Sequence, residues 1–145
     1  FVAGLYQVPP AVSRPRRDEL LELFDLADWA TELLESYSHG MKQKLLIASV
    51  LLRRPKAVLF DEPTVGLDPK SIRRFKGLLA DIARDGAAVF MCTHILDMAE
   101  KLCHTVGIIY RGRLIAKGTV DEVKKMTAGA AGPRSLEDVF LELTD

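Results

Sequence analysis

The chain has 145 residues, 48% of them hydrophobic and 28% charged, which is enough apolar material for a packed core and excludes a wholly disordered chain. Twenty basic residues cancel twenty acidic ones, so a nucleic-acid-binding surface is not expected as its main purpose. The two cysteines, Cys92 and Cys103, lack metal-ligand spacing and fit a reducing, intracellular compartment, with Cys92 read as small core filler inside an apolar run. No apolar stretch approaches the roughly 18 residues of a spanning helix and no signal peptide opens the chain, so a soluble globular chain is expected and any membrane role must come through a partner. Phe1 stands where a methionine would, with no helix start signal ahead of Val2 to Tyr6, and a fragment of a longer domain is expected.

In chain order, Gly4, Pro9, Pro10 and Pro15 make residues 1–15 read as a loop after a short apolar piece. From Arg16 to about Leu34, the pattern Leu20, Leu21, Phe24, Leu26, Trp29, Leu33 predicts two short helices bent near Asp25 to Asp28. Ser38 then caps a largely buried helix carrying Leu45 to Leu52, which ends at Arg53-Arg54-Pro55. Gly40 sits in its first turn, where free N–H groups and the dipole favour an anion and a missing side chain would let a ligand approach. Taken alone, that stretch is more commonly an ordinary capped helix.

Ala57-Val58-Leu59-Phe60 is an unbroken apolar run that leads into Asp61-Glu62-Pro63. The run predicts a strand covered on both faces, and Pro63 pushes Glu62 toward extended geometry. Two carboxylates at such a strand end are costly to desolvate unless a cation, hydrogen bonds or solvent meets them, and strand carboxyl ends are where open α/β sheets bind ligands. Taken alone, the run could equally be a strand followed by an acidic turn.

Beyond it, Asp68 and Pro69 predict the start of a helix running to about Arg84 with Gly86 as its stop. The inward face is read as Ile72, Phe75, Leu78, Leu79 and Ile82. Ala87 to Cys92 reads as a second parallel strand delivering Thr93-His94 to the Asp61 end of the sheet. A helix from about Ile95 to Leu102, a β-hairpin turning at Arg111-Gly112, and a capping box at Thr119 to Glu122 follow. Thr127 to Pro133 reads as a small-residue linker before a final amphipathic helix from Ser135 to Leu143, with Leu136, Val139, Phe140 and Leu143 inward.

In this order and spacing, the stretches from about Arg16 onward resemble the second half of the ATP-binding-cassette (ABC) ATPase domain. Ser38-His39-Gly40-Met41-Lys42-Gln43 resembles its signature motif, Ala57 to Glu62 its Walker B, Val65-Gly66-Leu67-Asp68 its D-loop and His94 its switch histidine. The resemblance implies an α/β, P-loop NTPase-like fold with a partial parallel sheet. Its parts would be a helical signature region at about 16–54, a Walker B to switch-histidine core with the hairpin at about 55–118, and C-terminal helices at 119–145. It implies ATP and Mg²⁺ as cofactors, with Asp61 acting on the metal, Glu62 polarising the attacking water and His94 holding the γ-phosphate or that water. Ser38 and the Gly40 backbone would touch nucleotide held by a second cassette, with His39, Met41 and Gln43 in the same cofactor-facing group and Asp68 across the dimer interface.

The sequence departs from the family's Leu-Ser-Gly-Gly-Gln at Tyr37, His39 and Met41, while the serine and second glycine are kept. No G-x-x-x-x-G-K-[ST] occurs in these residues, and Gln7, just before Pro9 and Pro10, does not fit the family's Q-loop. Tyr37 to Lys44 and Ser135 to Thr144 look most like ATPase subunits of ABC-2-type exporters. That likeness implies a cytoplasmic subunit held at the inner face of the cell membrane by a permease partner, with no nucleic acid. A cassette ATPase of DNA repair or translation, and a truncated or accessory piece without activity of its own, are the competing readings.

Overall fold

The computed structural model describes residues 1–126 and 134–144. The expected linker from Thr127 to Pro133 lies outside the described residues. Contacts divide the chain into two compact units, Phe1–Cys92 and Thr93–Asp145.

The first unit opens with α1 (Val2–Leu5) and α2 (Pro10–Leu23), so the proline-rich segment read as loop is largely helical. Pro10 occupies the first helical position, where its missing N–H costs nothing and its fixed φ suits a helix, and Pro15 is accommodated inside. Leu20 and Leu21 anchor α2 in the core. The helical pattern read as far as Leu34 breaks at Phe24. Asp25 takes a left-handed φ of 55°, and only single 3₁₀ turns follow at Ala27–Trp29 and Leu34–Ser36. Leu20, Phe24 and Leu26 are buried, whereas Trp29 and Leu33 are exposed, so the apolar spacing at those two positions does not mark an inward face.

The expected Ser38-capped helix is α3 (His39–Leu51). Its apolar residues are largely withdrawn from solvent, as read: Ile47, Ala48 and Leu51 are buried and Leu45, Val50 and Leu52 half-buried, with Leu46 the exception. Next come β1 (Ala57–Asp61), α4 (Pro69–Arg84) and β2 (Ala88–Cys92). The strands pair in parallel, with Leu59 opposite Phe90 and Asp61 opposite Cys92. Phe60 meets Phe75 of α4 edge to face at 5.3 Å between ring centroids. Val58 and Phe60 are buried, but Leu59 is 76% and Phe90 61% exposed, so the strands are covered on one face only among the described residues. An apolar run without alternation does not say how many layers will lie over it. Cys92 is exposed at the strand end, not core filler.

Asp25 bridges to α4 through Lys70 at 2.9 Å and Arg74 at 2.7 Å, and Arg74 also donates to the Leu23 carbonyl at 2.7 Å. Those contacts pin the end of α2 to α4, and the two cations hold the Asp25 carboxyl below its usual range.

The second unit contains α5 (Leu96–Leu102), the antiparallel pair β3 (Thr105–Tyr110) and β4 (Arg113–Thr119), α6 (Val120–Lys125) and α7 (Leu136–Thr144). Arg111 and Gly112 take φ of 47° and 76°, as a two-residue primed hairpin turn requires. The capping box is present: Thr119 N–H donates to Glu122 Oε2 at 2.8 Å, and Glu122 N–H donates to Thr119 Oγ1 at 3.2 Å. Ile108, Ala116, Val123, Leu136 and Val139 form the core, with Phe140 and Leu143 packed against it, which matches the inward face read for α7. Glu100 gathers three helices, accepting from Lys124 of α6 and, at 3.0 Å, from the Leu136 N–H at the start of α7. No described helix is long and apolar enough to cross a membrane.

Candidate functional site

Asp61 ends β1 with its side chain exposed, and Glu62 follows at the turn. The Glu62 N–H donates to the Cys92 carbonyl at 3.0 Å, continuing the ladder by one bond past the strand. Glu62 does not take the extended geometry that Pro63 favours; its φ is +44°, in a region sparsely used by non-glycine residues and concentrated at functional sites. The turn is then held by Val65 N–H to the Glu62 carbonyl at 3.3 Å and Leu67 N–H to the Thr64 carbonyl at 3.1 Å. Pro63 and Thr64 are buried. Gly66 adopts φ +81°, which its lack of a side chain permits.

Ser38 precedes α3 with extended backbone, and its Oγ accepts from the Met41 N–H at 3.2 Å. The Lys42 N–H is taken by the Ser38 carbonyl, which leaves the His39 and Gly40 amides as the first-turn donors outside the helix ladder. The Ser38 hydroxyl hydrogen also remains to be donated. Tyr37, a departure from the family pattern, is buried: it meets Trp29 edge to face at 6.1 Å and donates its hydroxyl to the Trp29 carbonyl at 2.7 Å.

The segments read as signature motif and D-loop meet within one chain. A Cβ on Gly40 would lie 2.6 Å from the Gly66 carbonyl oxygen, and a Cβ on Gly66 would lie 2.8 Å from the His39 ring. Gly40 is therefore needed for close approach of the chain to itself, besides any ligand. Gln43 Nε2 donates to the Pro63 carbonyl at 3.3 Å, an internal use for a residue read as cofactor-facing. Asp68 caps α4 by accepting from the Ser71 N–H at 2.8 Å and the Ser71 hydroxyl at 2.7 Å, and it pairs with Lys44 Nζ at 2.7 Å. The ammonium first, and the Ser71 donors after it, hold the Asp68 carboxyl well below the usual carboxylate range. Met41 is half-buried in the first turn of α3.

His94 lies in the bend between β2 and α5 and belongs to the second unit, where Thr93 Oγ1 accepts from the Ile95 N–H at 3.1 Å. Ser38, His39, Gly40, Gln43, Asp61, Glu62 and Asp68 all belong to the first. Lys44 was missed by sequence reasoning. The signal was present in the i, i+3, i+4 spacing of Gly40, Gln43 and Lys44, which puts them on one helix face. A mostly apolar groove of about 800 Å³, bordered by Val2, Leu21, Leu45 and Leu46, lies elsewhere on this unit, and none of the candidate site residues lines it.

The fold is α/β, and it matches that of a solved subunit over nearly the whole chain. A solved ATP-binding subunit of an ABC transporter superposes with a TM-score of 0.90 at 34% identity, over 99% of this chain and 59% of that one. The chain belongs to the AAA-domain family described as "AAA domain, putative AbiEii toxin, Type IV TA system", whose model matches residues 13–97, and its curated relatives are ABC transporter ATP-binding proteins. It is 37% identical to the uncharacterized ABC transporter ATP-binding protein YthP of Bacillus subtilis over 97% of this chain and 58% of that protein. It is 38% identical to the daunorubicin resistance ATP-binding protein DrrA3 of Streptomyces coeruleorubidus over 81% of this chain and 37% of that protein. With the probable multidrug ABC transporter ATP-binding protein YbhF of Escherichia coli it shares 33% over 99% of this chain and 25% of that protein. The chain thus spans a little over half of YthP and less of the others.

Proposed function

We propose that this chain is the signature and Walker B portion of an ABC transporter ATPase, part of a subunit that couples ATP hydrolysis to export through a membrane-spanning permease. The observation that carries it is the joining, in one compact unit, of a Ser38-capped helix start, an Asp61-Glu62 pair at a strand end and an Asp68-capped loop. Drug-resistance ATP-binding proteins among the relatives support the direction of transport.

The residues suit Mg-ATP. Asp61 offers an exposed hard oxygen donor at the strand end, and Ser38 keeps a hydroxyl hydrogen for an anion after its oxygen has capped α3. Bound Mg-ATP would supply an electrophilic terminal phosphorus and a metal charge that stabilises ADP as the leaving group. Asp61 binds on the metal side. Glu62 orients a water and accepts its proton, in a backbone geometry fixed by the Cys92 carbonyl on one side and Pro63 on the other. Ser38 and the Gly40 backbone would donate to the γ-phosphate of nucleotide held by a second cassette, and His94 would hold the γ-phosphate or the attacking water. His39, Met41 and Gln43 line that helix start, and Asp68 faces the partner cassette.

The 145 residues contain no phosphate-cradling glycine-lysine loop, so this chain by itself binds Mg-ATP weakly and turns it over poorly in this reading. The test is ATP turnover by the complete protein that carries the chain, measured against free Mg²⁺. Asp61→Asn raises the Mg²⁺ needed for half-maximal turnover by about tenfold or more, as loss of a charged hard ligand implies. A wild-type protein without Mg²⁺-dependent ATP turnover overturns the proposal.

A further inference from the structure

One face of α3 lies along the loop that follows β1. Gly40, Gln43 and Lys44 sit at i, i+3 and i+4 on that face and meet Gly66, Pro63 and Asp68 in turn. The three contacts differ in kind. Gly40 and Gly66 touch by backbone, with no room for a methyl group; Gln43 ties to a carbonyl; Lys44 and Asp68 form an ion pair.

The ion pair has the least slack. The Lys44 side chain is only 12% exposed, so its stem is packed in place and its ammonium has little freedom to leave Asp68, whose own side chain is 48% exposed. Asp68 is itself fixed by two bonds from Ser71. A charge-assisted bond between a nearly buried lysine and a carboxylate already fixed as a helix cap leaves the loop between them few alternative positions.

We propose that Lys44 is a positioning residue for ATP hydrolysis: by holding Asp68 within the same chain, it makes the start of α3 and the 64–68 loop one rigid body that meets the second cassette together. This rests on the ATPase reading above, but the clamp itself can be tested without it. Lys44 touches no reacting atom. It acts through Asp68 and the loop, so it controls the rate at which an assembled site turns over and not the affinity for nucleotide.

Hydrogen exchange on the 145-residue chain tests the clamp. In Lys44→Met the Leu67 and Ser71 amides exchange about five- to tenfold faster than in the wild type, while Leu59 in β1 is unchanged and Lys44→Arg stays within about twofold. Wild-type exchange at Leu67 and Ser71 in Lys44→Met overturns the clamp. Should Lys44→Met unfold, the wild-type chain decides by NMR: a Lys44 Nζ resonance that shifts together with the Asp68 carboxyl titration supports the pair, and a Lys44 resonance indifferent to it overturns it. In the complete protein, Lys44→Met lowers kcat about tenfold with KM for ATP within about twofold, and Lys44→Arg restores it. An unchanged kcat overturns the role in turnover. Absent turnover in the wild type counts against the ATPase reading, and the exchange experiment still decides the clamp.

Discussion

Gly40 faces the carbonyl oxygen of Gly66 so closely that a Cβ on Gly40 would lie 2.6 Å from it. The obstructing atom is backbone, which cannot rotate aside as a side chain could. Gly40→Ala therefore displaces the 64–68 loop or the first turn of α3, at a cost of about 1–3 kcal/mol typical of overpacking. Urea unfolding of the 145-residue chain measures it. A variant as stable as the wild type, with an unmoved loop, contradicts this packing.

Ser38 does two things at one position, capping α3 and presenting a hydroxyl. Ser38→Ala removes the bond from the Met41 N–H and lowers stability by about 1 kcal/mol, the usual worth of such a cap, whereas Ser38→Asp keeps a capping oxygen. Chemical denaturation separates the two. Equal losses in both variants would remove the cap from the account.

The acidic residues with the strongest engagements predict the pH response. Asp68 is held below its ordinary value of 3.8 by Lys44 first and Ser71 next, and Glu100 below its ordinary 4.5 by Lys124 first and the Leu136 N–H next. Both folded values are depressed, so the stability these groups contribute is fully present above about pH 4.5 and is lost as the pH falls below the ordinary values. Asp68→Asn keeps a capping oxygen but not the charge. The stability difference between it and the wild type should be present at pH 7 and shrink below pH 3.8. A difference that grows on acidification would contradict the ion pair.

The core of the first unit is anchored by Phe75, fully buried and stacked edge to face on Phe60. Phe75→Ala costs about 3–5 kcal/mol, the range for emptying a buried aromatic site. A loss under 1 kcal/mol by calorimetry would place the core elsewhere.

Local chemistry was legible in the sequence. Ser38, Asp68 with Pro69, and Thr119 with Glu122 announced three helix starts, and Arg111-Gly112 announced the hairpin turn, because each depends on residues within four positions of one another. What escaped depends on distance or on context. Pro10 and Pro15 read as breakers, yet Leu20 and Leu21 bury a helix that contains both. Leu59 read as doubly covered, yet burial depends on which layers the chain places over a strand. Pro63 biases Glu62 toward extended backbone, and the turn into the 64–68 loop overrides that bias. Lys44 and Asp68 stand 24 residues apart, and only the docking of α3 on the loop joins them.

The chemistry proposed for this chain turns on Glu62. In the complete protein, Glu62→Gln keeps the size of the side chain and removes the carboxylate that would take a proton from water, so Mg-ATP binding should persist while turnover falls by about 10²-fold or more. Equilibrium binding and ADP release, measured on the same preparation, give the answer. Retained binding with lost turnover is the predicted result; turnover at the wild-type rate would contradict the account at its centre.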